Sequence, residues 1–173
     1  MSTATPRASA VRPAGRPLPP SDGTRSVYLH PGQVFASGEA VQVTTVLGSC
    51  VSVCLWDPAS RVGGMNHYVL PRLVPSDSAS PRFADVAMRE LVERLLHLGA
   101  RRATLEAKVF GGACLTPTPG GWGKPHLGEQ NVARALAVLQ EERIRVVAAD
   151  TGGARGRKLI FRTDDGTVWL KAL

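Results

Sequence analysis

Residues 44–71 read TTVLGSCVSVCLWDPASRVGGMNHYVLP. Apolar, β-branched segments at about 41–47, 50–56 and 62–70 are separated by Gly48-Ser49 and by the Asp57-Pro58 turn, so the stretch reads as successive strands. A cysteine stands directly after the first bend and a histidine lies on the last segment. On one straight strand Thr44 and Cys50 would share a face but lie about 20 Å apart, at roughly 3.3 Å per residue. Gly48-Ser49 must therefore bend the chain if these residues form one site, and glycine permits such a bend. A bend there also leaves backbone N–H groups near Cys50 free to face a developing oxyanion.

Working outward, a further strand is expected at 26–30. Phe83, Ala87, Met88, Leu91, Val92, Leu95 and Leu98 recur at helical spacing between Pro81 and Gly99, which predicts an amphipathic helix. A strand follows at 102–110, then a Gly- and Pro-rich loop through Lys124, then a second helix over about 129–142. Short strands close the chain near 144–149, 157–162 and 167–171, the last two joined by the hairpin signal Asp165-Gly166. Strands clustered early and late around two helices imply an α/β layered domain of mixed sheets, an α/β/α sandwich with two to three helices. Residues 1–25 are rich in Pro, Ala, Ser and Arg, cannot build a packed core, and are expected to be a disordered basic tail before a domain over 26–173.

The chain has 173 residues, 43% of them hydrophobic, enough for one substantial core. No apolar run reaches the roughly 18–20 residues that span a bilayer, and the N-terminus lacks a signal-peptide pattern, so the cytoplasm is expected. The net charge is +7, of which Arg7, Arg12, Arg16 and Arg25 against Asp22 supply +3, leaving +4 for the remainder. Without an RNA-binding or helix-turn-helix motif this excess does not imply nucleic acid. The odd count of three cysteines argues against a disulfide framework.

A free thiol, with a pKa of about 8.5, needs an imidazole to take its proton or stabilise its thiolate. Cys50 and His67, 17 residues apart across a turn, are the natural pair. On spacing alone His67 is better explained as a satisfied histidine at a strand end. Cys54 is expected to pack in the core, since four strand residues separate it from Cys50 by about 13 Å. A zinc site from Cys50, Cys54, Cys114, His67, His97 and His126 lacks the close ligand pairs such sites use, so no metal is expected. Neither Gly111-Gly112 nor Gly152-Gly153 belongs to a phosphate-binding pattern.

The blocks LGSCVSVCLWDP, GGMNHYVLP, KVFGGA and DTGGARGRKLIFRTDDGTVWLKAL occur in order, and together they resemble the CheD family of chemoreceptor glutamine deamidases. Gly128-Glu129-Gln130-Asn131 is similar to the family's I-G-x-x-N helix start, with Leu127 in place of isoleucine. The resemblance implies Cys50, His67 and Thr44 as catalytic residues, Thr44 because it stands six before the cysteine. Its hydroxyl would accept a hydrogen bond from the second ring nitrogen of His67, and the adjacent Thr45 is read as packing. Gly48, Ser49, Asn66, Gly111 and Gly112 are expected around the substrate or oxyanion; Gly156-Arg157-Lys158 could offer donors to an acidic partner or, equally, form a solvated basic edge. The implied reaction hydrolyses glutamine side chains of methyl-accepting receptors to glutamate and ammonia through a cysteine thioester, without a cofactor, on an acidic helix drawn to a positive groove beside Cys50. The alternative is a binding module that regulates a CheC-type phosphatase, and a third reading is a hydrolase of small amides.

Overall fold

At Gly48-Ser49 the chain leaves one sheet and enters another. The computed structural model describes residues 11–12, 22–116 and 125–173. Strands β1 (Val11–Arg12), β2 (Arg25–Tyr28), β4 (Val41–Leu47), β9 (Arg157–Arg162) and β10 (Val168–Ala172) form the first sheet, in the order β1-β10-β9-β4-β2. Strands β3 (Gln33–Ser37), β5 (Val51–Asp57), β6 (Val62–His67), β7 (Glu106–Gly111) and β8 (Arg145–Thr151) form the second, in the order β3-β6-β5-β7-β8. Each sheet is mixed, with β2–β4 and β7–β8 parallel and β4–β9, β5–β6 and β5–β7 antiparallel.

Helices α1 (Ala84–His97) and α2 (Leu127–Glu141) both cover the second sheet, α1 over β3 and β6 and α2 over β5, β7 and β8. The layers therefore run sheet, sheet, helices. The mixed-sheet α/β domain with two helices is the expected class, but among the described residues no helix lies on the outer face of the first sheet, so their order is sheet, sheet, helices where α/β/α was expected. The reason is legible in β5, which is buried on both faces. Val51, Val53 and Leu55 join the helix-side core with Met88, Leu91 and Leu95, while Cys54 faces a second core with Val43, Leu47, Met65, Phe110 and Phe161. An apolar core on each face leaves this sheet as the middle layer.

Helix α1 buries Ala84, Ala87, Met88, Leu91, Val92 and Leu95, the row its periodicity predicts, and stops before Gly99 at φ +98°. Helix α2 opens on a capping box in which His126 accepts from the Glu129 N–H and Glu129 accepts from the His126 N–H. The hairpin at Asp165-Gly166 joins β9 to β10 as expected. Strand β3, between Gly32 and Gly38, is additional to the expected strands, and the segment from Arg102 starts with a 3₁₀ turn before β7. The tail expected to be disordered lies largely outside the described residues, although Val11–Arg12 pairs in parallel with β10. The Gly- and Pro-rich loop lies outside them over 117–124.

Candidate active site

The β5–β6 ladder places the Cys50 and His67 side chains. Val51 pairs with Tyr68, exchanging N–H···O bonds of 3.2 and 3.1 Å. In that antiparallel register Cys50 and His67 are diagonal neighbours on one face, where Cβ atoms stand about 7–8 Å apart or somewhat less. The face is the inter-sheet one, since Cys54 and Met65, farther along it, lie in the core between the sheets. Cys50 is half-buried at the end of that space, and His67 is 2% exposed.

The first sheet supplies the contact that orients the ring. Thr45 on β4 lies 2.8 Å from His67 Nδ1 and donates its own proton to the Leu29 carbonyl at 2.7 Å. A hydroxyl has one proton, so at His67 the Thr45 oxygen accepts and Nδ1 carries the hydrogen. The neutral ring is therefore the Nδ1–H tautomer, with the lone pair on Nε2, an atom buried without a hydrogen-bond partner among the described residues. Burial lowers the His67 pKa to about 4; the nearby Leu29 carbonyl opposes this and His30 adds to it. Burial likewise raises the Cys50 thiol above its ordinary value, opposed by its own backbone N–H. At neutral pH the pair is thus thiol and imidazole. It can act by removing the thiol proton as attack proceeds, in place of storing a thiolate–imidazolium pair.

Around the bend the carbonyls are all held from inside. The Gly48 oxygen accepts from Ala113 N–H at 2.9 Å, the Ser49 oxygen from Asn131 Nδ2 at 3.0 Å and the Cys50 oxygen from Gly112 N–H at 2.9 Å. A trans peptide directs its N–H opposite to its C=O, so the N–H groups of Ser49 and Cys50 turn away from these anchors. Among the described residues they donate to no backbone carbonyl, and the Cys50 N–H faces its own sulfur. Gly111, at φ +107°, packs so closely that a Cβ would overlap the Cys50 carbonyl oxygen. Arg157 reaches under this turn, donating to Gly152 O at 2.7 Å and Asp150 Oδ1 at 2.8 Å, with Gly111 O at 3.5 Å.

Several expected positions are rearranged. Thr44 does not meet His67; the contact is made by Thr45, because β4 buries Val41, Val43, Thr45 and Leu47 toward the second sheet and turns Thr44 to the other face. Asn66 is a neighbour of His67 in sequence only. Strand alternation sends its amide toward α1, where Oδ1 accepts from Val53 N–H at 2.9 Å and Nδ2 donates to Met88 Sδ at 3.3 Å, so it cannot contact a substrate at Cys50. Gly48, Ser49, Gly111 and Gly112 all surround Cys50, the last two as supports for its carbonyl. Arg157 is 9% exposed and engaged internally, which leaves Lys158 of the expected basic trio. Cys54 is 1% exposed and burial raises its pKa to about 12, making it an inert core thiol. The other zinc candidates are dispersed: His97 Nδ1 pairs with Glu93 O on α1 and His126 caps α2. Sequence reading missed Thr45 and the role of Asn131. The period-two row Val41, Val43, Thr45, Leu47 was the available signal for the first, whereas nothing in the sequence shows which carbonyls Asn131 meets.

Residues 70–172 match the family model described as CheD chemotactic sensory transduction. Over 162 residues the chain is 51% identical to "Probable chemoreceptor glutamine deamidase CheD 1" of Anaeromyxobacter dehalogenans, covering 93% of this chain and 92% of that protein. It is 46% identical over 146 residues to "Probable chemoreceptor glutamine deamidase CheD" of Trichlorobacter lovleyi, covering 84% and 89%. It is 40% identical over 147 residues to the protein of that name in Sulfurimonas denitrificans, covering 83% and 92%. Among solved structures, a Neisseria meningitidis protein aligns at a TM-score of 0.47 with 13% identity, over 76% of this chain and 65% of that one. With relatives at this identity across most of its length and the family model over more than half of it, the chain belongs to the CheD family.

Proposed function

We propose that this protein is a protein-glutamine deamidase acting on chemoreceptors, with Cys50 as nucleophile and His67 as its base. The observation that carries the chemistry is His67 itself, with Nδ1 held by Thr45 and a buried, unpartnered Nε2 on the face that bears Cys50. The names of the relatives supply the substrate class. His67 Nε2 takes the Sγ proton as sulfur bonds to the carboxamide carbon, and the oxyanion that forms meets the Ser49 and Cys50 N–H groups. Collapse of that intermediate breaks the C–N bond. His67 gives its proton to the nitrogen, which leaves as ammonia, and a γ-glutamyl thioester remains. Water then loses a proton to His67 and adds to the thioester; the C–S bond breaks, the thiol is reprotonated and glutamate is released. Thr45 takes the orienting role that the family spacing assigns to Thr44.

On this reading the substrate glutamines are those of cytoplasmic receptor helices and the protein works in the cytoplasm; among the described residues no helix is long and apolar enough to cross a membrane. The test is mass spectrometry of a purified receptor cytoplasmic fragment incubated with the protein or its Cys50→Ala variant, with ammonia measured in parallel. Glutamine-to-glutamate conversion by the wild type alone supports the reading. Absence of conversion on several folded receptors, with retained binding to a CheC-type phosphatase, sinks it in favour of a binding module.

A further inference from the structure

The ladder that aligns Cys50 with His67 stops one residue short of the nucleophile. Its last rung is Val51–Tyr68. Beyond it the β6 chain turns away, and Val69 and Leu70 both send their N–H groups to the Arg82 carbonyl, at 2.9 and 3.0 Å. On the β5 side Cys50 is tied to Gly112, and no backbone bond ties the bend to the strand that carries His67.

One side chain bridges that gap. Asn131, 0% exposed on α2, donates from a single nitrogen to the Ser49 carbonyl at 3.0 Å and to the Val69 carbonyl at 2.9 Å. The first carbonyl belongs to the residue before the nucleophile and the second lies two residues after the base. Two carbonyl oxygens converging on one point repel unless a group with two N–H bonds separates them, and a neutral primary amide is such a group. Both contacts being acceptors also fixes which end of the amide is nitrogen. The backbone of Asn131 is tied to the same place, since the Tyr68 hydroxyl donates to its carbonyl at 2.6 Å, and Tyr68 is the residue after His67. Helix α2 thus holds the base through its main chain and the nucleophile's bend through its side chain.

We propose that Asn131 is the positioning residue of the site, the clamp that sets the spacing of Cys50 Sγ and His67 Nε2. The role rests on the deamidase reading for its effect on turnover, but the clamp has a signature independent of any substrate. With the amide removed, the two carbonyls separate and the bend relaxes toward solvent, which moves the thiol away from the base and out of the environment that disfavours its ionisation. Turnover and alkylation then change in opposite directions.

The experiment compares wild type, Asn131→Ala, the volume-keeping Asn131→Leu and Leu139→Ala, a buried position on the same helix outside the site. Each is assayed well below its Tm for receptor-glutamine deamidation and for iodoacetamide alkylation of Cys50, read by peptide mass spectrometry so that Cys54 and Cys114 are scored separately. Both Asn131 variants should lose about a hundredfold in kcat, the effect of a displacement on the order of 1 Å between reacting groups, with KM within about threefold. Their Cys50 alkylation should become faster at pH 7–8, while Leu139→Ala lowers Tm and leaves kcat and alkylation alone. A folded Asn131 variant with wild-type kcat and an unchanged alkylation profile overturns the clamp, as does an equal loss of kcat in Leu139→Ala at a matched fall in Tm. Failure of the wild type to deamidate any receptor removes the functional reading, and the alkylation comparison still decides the clamp.

Discussion

At His67, burial and one hydrogen bond determine both the tautomer and the protonation state. A base with a pKa of about 4 beside a thiol raised above its ordinary value is neutral throughout the physiological range. The kcat/KM for deamidation should therefore rise through about pH 4 and stay level from pH 6 to 8, as a pH–rate profile will show; an acid limb near pH 6.5 would indicate an unperturbed imidazole. Thr45→Val removes the acceptor at Nδ1 and should lower kcat about tenfold to a hundredfold, equivalent to one or two hydrogen bonds at 1.36 kcal/mol per decade. Thr44→Val, on the opposite face, should stay within about threefold of wild type, and steady-state kinetics on the two variants separates them. The same burial affects stability. Because the folded pKa lies below the unfolded value of 6.5, only the unfolded chain takes up this proton as pH falls from 6.5 to 4. The contribution present above pH 6.5 is lost over that window, at most about 3 kcal/mol. Urea unfolding at pH 7 and pH 5 should show a drop in wild type that is smaller in His67→Gln.

Among the elements, the β4–β5 corner and the β7 terminus that supports it depend on backbone shapes few residues adopt. Gly111 at φ +107° is in contact with the Cys50 carbonyl, and Gly112 at φ +71° donates to it. Gly111→Ala combines a strained φ with overlap on that carbonyl, and should cost about 2–4 kcal/mol in urea unfolding. It should also displace Cys50, so that deamidation falls even under conditions where the variant is fully folded. If the variant is folded and retains wild-type kcat, the β7 terminus does not hold Cys50 in place for turnover.

Across the whole molecule, the site lies where two sheets meet, and few polar groups cross between them. Thr45 and His67 form one crossing. Arg157 forms another, from β9 of the first sheet to Asp150, Gly152 and Gly111 of the second. A guanidinium holds several acceptors in a fixed fork that an ammonium cannot reproduce. Arg157→Lys should therefore lower the urea midpoint, by about 1–3 kcal/mol in unfolding free energy, with a reduction in kcat from the loosened β7 end. A midpoint unchanged from wild type would show that this crossing contributes nothing to stability.

What the sequence by itself determined is the local part of this protein. The apolar row of α1 with its closing glycine, the hairpin at Asp165-Gly166, the strands around the Gly48-Ser49 bend and the 17-residue interval from Cys50 to His67 all follow from periods and turn residues that act over a few positions. Spacing within one strand could not identify the threonine at His67, because the ring is reached from a different sheet, and the facing row on β4 is set by the burial of Val41, Val43 and Leu47. Nor could it order the layers, which depend on the middle sheet finding an apolar partner on each face. Asn66 and Asn131 make the same point: similar in sequence as polar residues in otherwise ordinary elements, one is turned to Met88 and the other joins Ser49 to Val69. Side-chain direction across a gap between elements is a property of packing, and only the tertiary structure decides it.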